Sequence, residues 1–458
     1  MTHINSRNQL VEKGKTEANR KARELTLKSL EHALAAVNPQ KLLKAQVMIE
    51  DSILCAGKYR FDLNKIGRIY VVGGGKAAGA MAKALEEVLG ERTTGGIVNV
   101  PYGDRHQTHK VKKQEASHPI PNEAGAEGAQ RMLTIAEQAQ ENDLVIVLIS
   151  GGGSSLMALP RSNVTLEDKQ NLTDRLLKSG ARINEINTVR KHISDFKGGW
   201  LAKKAYPATV LNLVLSDVVG DPLDVIASGP TVPDSTTFSE AIAVLEKYGL
   251  RQDTPTSVRE LLYMGKNGSV AETPKEDDYA FRKVHSLILG NCRTAAVAAC
   301  KYLKTSGLNT LLLTSTLEGE AKCVGAMLSS LANNIIETDE PIPKPAAIVA
   351  AGETTVTVTG KGLGGRNQEL VLAAALKLRE REGAAVASLS TDGTDGPTVA
   401  AGAIADTQTR KRALELGLKA ERFLRQNDSY NFFAKLEDSI ITGPTGTNVN
   451  DISVIIVL

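Results

Sequence analysis

Short runs of aliphatic and β-branched residues alternate along the chain with longer stretches whose apolar residues recur at helical spacing. In the first half these runs lie at residues 69–72, 97–100, 144–149 and 210–215. In the second half they lie at residues 286–289, 310–313, 346–349 and 385–389. Such alternation is typical of a parallel sheet covered by helices on both faces. The pattern therefore predicts an α/β protein.

Three further segments complete this organisation. Helical spacing over 17–56, with one break, predicts two helices ahead of the first strand. Residues 239–278 carry no strand signal, and they predict helices followed by an exposed connection. At the end of the chain, residues 439–442 and 452–457 flank a Gly/Pro/Asn turn and predict an antiparallel hairpin.

The length of the chain supports two domains. It has 458 residues, of which 42% are hydrophobic, enough for one large core or two medium-sized cores. Because residues 239–278 separate the two alternations, we place an amino-terminal domain at 1–240, a helical connector at 241–284 and a smaller carboxyl-terminal domain at 285–458.

Composition argues against several classes of partner. The formal net charge is +3, too small for this length to indicate binding to nucleic acid. The four cysteines include no Cys-x-x-Cys pair, which fits a reducing compartment. The longest apolar run is too short to span a bilayer, and residues 1–30 lack the apolar core of a signal peptide. We expect a cytoplasmic protein without a membrane or nucleic-acid partner.

Polar and glycine-rich turns follow nearly every predicted strand. In open α/β sheets, ligands bind at the carboxyl ends of the strands, so these turns are candidate binding segments. They lie at residues 73–76, 150–155, 216–222, 352–355, 360–369 and 390–396. Part of the chain's excess of glycine is concentrated in them, as in the runs GGGKAA at 73–78 and SGGGSS at 150–155.

Two cations stand where the helix dipole disfavours them. Lys76 and Arg366 each lie at a predicted helix amino terminus, where a positive charge costs about 0.3–1 kcal/mol. A bound anion would reverse that cost, and an arginine fork can grip phosphoryl or carboxylate oxygens. The alternative is a pair of tight turns with solvated cations. We favour function and assign Lys76 and Arg366 as the candidate catalytic residues.

The glycines and serines around these cations predict a phosphate or substrate cradle. A chain of N–H and O–H donors suits such a ligand, although a simple capped helix start would use the same residues. The candidate binding residues are Gly74, Gly75, Ser150, Gly151, Gly152, Gly153, Ser154, Ser155, Gly364, Gly365 and Asn367. The run at 73–78 also fits a dinucleotide-binding pattern, but no acidic residue ends the next strand.

Acidic side chains in the turns suggest a metal. Mg²⁺ prefers one or two carboxylates together with water and phosphate oxygens. The candidate ligands are Asp217, Glu353 and Asp392, with Asp221 and Asp395 nearby in sequence. Each could instead be an ordinary turn cap.

Histidine gives a weaker signal. Two of the seven histidines, His118 and His192, sit in motif-like settings, where either could act as a lone base. No histidine cluster indicates zinc.

Taken together, the motifs resemble the class II glycerate kinases of the MOFRL type. The resemblance runs from near Glu17 to Leu458 and rests on GGGKA at 73–77, SHPIP at 117–121, SGGGSS at 150–155, SDVVGDP at 216–222, GETT at 352–355, GGRNQE at 364–369, TDGTDG at 391–396 and TGPTGTNVN at 442–450. It implies a Rossmann-like three-layer αβα amino-terminal domain and a smaller α/β MOFRL-type domain with a mixed sheet. Lys76 and Arg366 match the lysine and arginine thought to act in that family.

The resemblance also implies an activity. It is ATP-dependent, Mg²⁺-assisted phosphorylation of D-glycerate, most often to 2-phosphoglycerate, in the cleft between the two domains. Some members carry the label hydroxypyruvate reductase, so an NAD(P)H-dependent reductase is the first alternative. A non-catalytic anion-binding module is the second. The sequence leaves open the C2 or C3 position, the phosphoryl donor, the metal ligands, the catalytic base and whether the chain forms a homo-oligomer.

Overall fold

A computed structural model describes residues 4–458. Within that range the α-helices are α1 (Arg7–Glu12), α2 (Glu17–Ala36), α3 (Pro39–Gln46), α4 (Ala78–Leu89), α5 (Glu123–Gln138), α6 (Gly153–Leu156), α7 (Leu166–Lys178), α8 (Ile183–His192), α9 (Trp200–Ala205), α10 (Phe238–Lys247), α11 (Thr256–Lys266), α12 (Cys292–Thr305), α13 (Ala321–Thr338), α14 (Arg366–Lys377), α15 (Thr409–Glu415), α16 (Ala420–Arg425) and α17 (Ser429–Leu436).

The strands of the same range are β1 (Val47–Glu50), β2 (Ile53–Ala56), β3 (Tyr59–Asp62), β4 (Ile69–Gly74), β5 (Thr93–Pro101), β6 (Val111–Ala116), β7 (Leu144–Ile149), β8 (Thr209–Leu215), β9 (Val284–Gly290), β10 (Asn309–Leu317), β11 (Ala346–Gly352), β12 (Ala384–Ser390), β13 (Gly402–Asp406), β14 (Ser439–Ile440) and β15 (Asp451–Val457). Short 3₁₀ turns lie at Gly90–Arg92, Ile226–Ser228 and Tyr279–Lys283.

The chain divides into two compact units. The continuous unit is Pro39–Leu289, and the discontinuous unit joins the residues up to Asn38 with Gly290–Leu458. This division differs from the domain bounds expected from the sequence, because the first helices belong with the second half of the chain and residues 241–284 belong inside the continuous unit. The bounds of the functional domains stay a prediction.

The continuous unit is built on a six-stranded sheet in the order β6-β5-β4-β7-β8-β9. The pairings of β4 with β5 and β7, of β5 with β6 and of β7 with β8 are parallel. All six residues of β7 are buried, as a central strand of a covered parallel sheet requires. The predicted α/β class with a parallel sheet is confirmed, but β9 extends this sheet instead of starting a second one.

A small antiparallel sheet, β1-β2-β3, replaces the end of the predicted second helix. The helix ends at Gln46, and Asp51 and Ser52 both have positive φ, at 46° and 69°. Positive φ at both central residues makes the two-residue turn that joins adjacent antiparallel strands. The helical spacing over 17–56 was therefore misleading beyond Gln46.

The discontinuous unit has a mixed sheet in the order β10-β11-β15-β12-β13-β14. β15 lies between β11 and β12 and is antiparallel to both. The predicted terminal hairpin is wrong, because β14 pairs with β13 and not with β15. Helices α13 and α14 pack on one face of the sheet in a shared core, while α2 and α12 also contact its strands.

A buried ionic cluster connects α2 to this sheet. The Arg23 guanidinium donates to Asp406 at 2.8 Å and to Asp438, and all three side chains are fully buried. A buried charge is costly unless it is paired, so these contacts explain why α2 belongs to the discontinuous unit. No helix within residues 4–458 combines the length and the apolar character needed to cross a bilayer.

Replacing Arg23 tests this connection. Arg23→Met should lower the free energy of unfolding by about 3–5 kcal/mol, because the buried Asp406 loses its cation and Asp438 keeps only Arg412. Urea unfolding followed by circular dichroism measures the effect. Lys28→Met, on the exposed side of the same helix where Lys28 pairs with Glu24, is the control and should change stability by less than about 0.5 kcal/mol. Equal losses for both variants would contradict the assignment.

Candidate functional site

Two glycine-rich loops meet at the carboxyl ends of β4 and β7. Lys76 N donates to the Gly151 carbonyl at 2.8 Å, and Ala77 N donates to Ser150 Oγ at 3.0 Å. Gly75 has φ of 146°, and a Cβ there would clash with Ser150. Glycine is required at this position because the two loops approach so closely. The structure therefore brings the predicted loops 73–78 and 150–155 together.

Gly152 lies beside two of the predicted side chains. It has φ of 82° and precedes α6. A Cβ on Gly152 would stand 2.8 Å from Cδ2 of His118 and 3.5 Å from Cγ of Lys76. Lys76 and His118 thus flank the same turn of the glycine-rich loop, and His118 is exposed there.

The serines after the glycines are engaged within the protein. Ser155 Oγ donates to the Gly152 carbonyl at 3.0 Å, which closes the first turn of α6. Ser154 and Ser228 share a hydrogen bond of 2.9 Å between their hydroxyls. The Ser154 carbonyl accepts from the Lys197 ammonium at 2.8 Å. Ser154 is therefore bound through its hydroxyl by Ser228 and through its carbonyl by Lys197, and neither partner belongs to the predicted site.

In the discontinuous unit, Arg366 is the first residue of α14 and is oriented by two carboxylates. Its Nε and Nη2 donate to the two carboxylate oxygens of Asp451 at 2.6 and 3.1 Å, and its Nη1 donates to Glu353. Burial raises the pKa of the Asp451 carboxyl to about 7, while the Arg366 guanidinium acts in the opposite direction. Burial acts to lower the pKa of Arg366, but the two carboxylates outweigh it and raise that pKa above its usual value, so the guanidinium stays charged.

Asp395 caps the amino terminus of α14. Its carboxylate accepts from the backbone N–H of Asn367 at 3.0 Å and of Gln368 at 2.9 Å. The Asn367 side chain donates to the same carboxylate at 3.1 Å. The predicted cost of a cation at this helix end is therefore offset inside the protein by Asp395, Asp451 and Glu353.

The glycines before Arg366 serve close packing. A Cβ on Gly365 would clash with Asp395, and a Cβ on Gly364 would clash with Ser429. The Asn367 amide oxygen accepts from Ser388 Oγ at 2.5 Å, and the residue is buried. Gly364, Gly365 and Asn367 thus shape the support of Arg366, and direct contact with a ligand stays a prediction for all three.

The candidate metal ligands lie in different units. Asp217 follows β8 in the continuous unit, whereas Glu353 and Asp392 follow β11 and β12 in the discontinuous unit. Gly352 and Ser390 both lie opposite Asp451 in the strand register. Glu353 and Asp392 therefore follow strand ends that lie on the same side of one sheet. Among residues 4–458 no group of three or more His, Cys, Asp or Glu side chains is arranged around a metal position.

His192 has a structural role. Its ring is buried, with Nδ1 2.7 Å from the Thr188 carbonyl and Nε2 2.8 Å from Glu272. These contacts hold the end of α8 against the segment after α11.

Sequence reasoning missed Asp451, Lys197 and Ser228. The first begins an apolar strand and the other two lie outside the glycine-rich turns, so no local pattern identified them.

Two family models match the chain. Residues 25–263 match a domain of unknown function (DUF4147), and residues 346–451 match the MOFRL family. The first match starts within α2, in the discontinuous unit, and ends within α11.

Similar proteins carry mostly one name. A glycerate 2-kinase of Pyrococcus horikoshii is 44% identical over 95% of this chain and 97% of its own length. A D-glycerate 2-kinase of Thermotoga maritima is 46% identical over 84% of this chain and 90% of its own length. The crystal structure of a Thermotoga maritima glycerate kinase superposes with a TM-score of 0.83 at 42% identity, covering 94% of this chain and 98% of that one. An Agrobacterium vitis relative, 39% identical over 85% of this chain and 87% of its own length, carries a hydroxypyruvate reductase name.

Replacing Gly75 tests the contact between the two loops. Gly75→Ala should destabilise the continuous unit by more than about 2 kcal/mol, since a left-handed backbone and a clash with Ser150 add together. Thermal unfolding measures the shift. The matched control is Gly180→Ala, which has φ of 76° but open space around the new methyl group, and should cost about 1 kcal/mol. Similar melting temperatures for the two variants would show that the loops do not require this approach.

Proposed function

This chain belongs to the MOFRL family, with a DUF4147 domain ahead of the MOFRL domain, and on that premise we propose that it is a glycerate kinase. The reaction is transfer of a phosphoryl group from a nucleotide to a hydroxyl group of D-glycerate. The names of the two relatives at 44% and 46% identity support this activity.

The observation that carries the proposal is the way Arg366 is held. Phosphoryl transfer asks little covalent work of a protein and depends on positioned positive charge around the migrating group. Asp451 fixes two nitrogens of the guanidinium and Glu353 a third, so the charge is oriented before any ligand arrives. Lys76, beside Gly152, is the corresponding cation of the continuous unit. We assign both residues catalytic roles in one reaction.

The nucleotide cradle is assigned to the loops around Lys76. Gly74, Gly75 and the 150–155 loop form a compact turn at the carboxyl ends of two neighbouring parallel strands, the usual position for a ligand in such sheets. Main-chain N–H groups in glycine-rich turns suit phosphate oxygens. We propose ATP as the donor and the C2 hydroxyl as the acceptor, giving 2-phosphoglycerate.

We also propose Mg²⁺ as the cofactor. Glu353 and Asp392 follow the carboxyl ends of β11 and β12, on either side of Asp451. Carboxylate oxygens are ligands that Mg²⁺ prefers, so these residues fit the ion. Asp217 is a further candidate. When bound, Mg²⁺ would neutralise charge on the phosphate oxygens. The protein itself orients Arg366 and holds the two glycine-rich loops together around Lys76.

The reductase alternative has weaker support. A nicotinamide site of this type uses an acidic residue at the end of the second strand to bind ribose. That strand ends with Asn99, Val100 and Pro101, and the buried Asn99 amide donates to the Gly125 and Leu156 carbonyls at 2.8 and 2.6 Å. The amide thus serves packing. Absorbance at 340 nm with hydroxypyruvate and NADH or NADPH tests this alternative directly.

The partners follow from the reaction. We propose a small hydroxy acid and a nucleotide as the substrates, without nucleic-acid or membrane partners. A cytoplasmic location fits both substrates. Size-exclusion chromatography with light scattering would show whether the chain forms a homo-oligomer.

Incubation of the purified chain with D-glycerate, ATP and Mg²⁺, followed by ³¹P NMR, tests the activity. We expect ADP and a 2-phosphoglycerate signal that disappears when the metal is removed with EDTA. A 3-phosphoglycerate signal would overturn the C2 assignment alone. Intact ATP with glycerate present would overturn the choice of donor, and intact nucleoside triphosphates of every base would overturn the kinase proposal.

Replacing the two cations tests their roles. Lys76→Ala and Arg366→Ala should each lower kcat by about 10²–10³-fold, because each removes positive charge next to the transferred group. Lys83→Ala on α4 and Arg379→Ala just after α14 are matched controls and should retain normal turnover. Folded variants of Lys76 and Arg366 with near-normal turnover would show that the catalytic assignment is wrong.

A further inference from the structure

One buried cation contacts the 150–155 loop from behind, and two further cations act on it through space. Lys197 is 1% exposed, and its ammonium group donates to the Ser154 carbonyl at 2.8 Å. Lys169 is 3% exposed and donates to the Leu159 carbonyl at 3.2 Å. Arg190, in the last turn of α8, is half-buried. Within residues 4–458 no carboxylate lies within 4.0 Å of the nitrogens of these three residues. We call Lys169, Arg190 and Lys197 the buried cation cluster.

Neighbouring cations in the same region have carboxylate partners. Lys191, next to Arg190 on α8, pairs with the buried Asp234 at 3.3 Å. Arg161 lies 3.4 Å from Asp195, the carboxylate that also acts on Lys169 through space. Lys191 and Arg161 thus have carboxylate partners, which the three members of the cluster lack among residues 4–458. Buried charge without a partner opposes folding, and the end of a helix dipole compensates for only part of it.

The cluster members repel one another. Burial and the charges of Lys169 and Arg190 hold the pKa of Lys197 well below its usual range. Burial, together with Arg190, lowers the pKa of Lys169 to about 7. A negative group bound nearby would reverse both effects, because opposite charge favours the protonated form.

The segment that packs against the loop is also strained. Ala227 and Ser228 have φ of 51° and 61°, a left-handed conformation that non-glycine residues rarely adopt. Ser228 Oγ bonds to Ser154 Oγ and to Asn187 Oδ1, and Ala227 Cβ abuts Gly153. Strained backbone of this kind concentrates at ligand-binding sites. The strained segment and Lys197 therefore both contact one short helix, α6.

We propose that the buried cation cluster is an anion subsite that holds an anionic oxygen group of a reactant at the 150–155 loop. The group is either the carboxylate of D-glycerate or a phosphate of the nucleotide, which share the same chemistry. This inference rests on the proposed function for the identity of its ligands. Lys197 acts as a positioning residue, since it is enclosed and reaches the loop through the Ser154 carbonyl.

Calorimetric binding without turnover tests the subsite. D-glycerate alone and ADP alone are titrated into the wild-type chain, Lys197→Met and Arg190→Gln. We expect both variants to weaken binding of one of the two ligands by about 10-fold or more, since each removes an uncompensated charge close to the anion. The ligand that is affected identifies the source of the anionic group. Lys203→Met, in which an exposed lysine paired with Asp278 is replaced, is the matched control and should bind both ligands as the wild type does.

Thermal unfolding without ligand separates binding from a structural role. A subsite cation opposes folding, so Lys197→Met should melt no lower than the wild type although it binds less well. Inorganic phosphate should raise the melting temperature of the wild type more than that of either variant. Unchanged binding of both ligands in Arg190→Gln, or a lower melting temperature with equal loss of both ligands in Lys197→Met, would overturn the subsite. If the wild type binds neither ligand, the proposed function itself fails.

Discussion

The position of β15 between β11 and β12 determines the surroundings of Arg366. Asp451 is the first residue of β15 and lies opposite Gly352 on one side and Ser390 on the other. Its carboxylate therefore lies beside the carboxyl end of β11, which Glu353 follows. Arg366, the first residue of α14, contacts it there. A shift of one residue in this register would turn Asp451 to the other face of the sheet. The orientation of the guanidinium thus depends on pairing by the last strand of the chain.

A different constraint acts in the continuous unit, where backbone approach takes the place of side-chain pairing. The ends of β4 and β7 come so close that Gly73 and Gly75 cannot carry a Cβ, and hydrogen bonds run directly from one loop to the other. Main-chain contacts of this kind leave little freedom for the loops to separate. Lys76 is consequently presented from a rigid turn, whereas Arg366 is fixed by the carboxylates that surround it.

The sequence predicted local features well and long-range pairing poorly. The apolar runs identified eight strands, and the glycine-rich turns after them contain Lys76 and Arg366, because both signals depend on neighbouring residues. The assignment of β9 to the first sheet, the insertion of β15 and the place of α2 depend on which surfaces meet in three dimensions. Hydrophobic periodicity shows which face of a strand is buried but not which strand lies beside it. Asp451 was missed for that reason: its role comes from register, and its local sequence is simply the start of an apolar strand.

The two kinds of cation in this protein are compensated in opposite ways. Arg366 has its carboxylates within the fold, and these fix its orientation. Lys197 and Lys169 have only carbonyl acceptors, and burial lowers the pKa of both, so the fold disfavours their protonated forms. A bound anion would favour the protonated forms, which fits a site where a ligand supplies the missing negative charge. Arg366 is thus a catalytic group that carboxylates of the protein orient, whereas the buried cation cluster carries positive charge whose negative partner would come from a ligand.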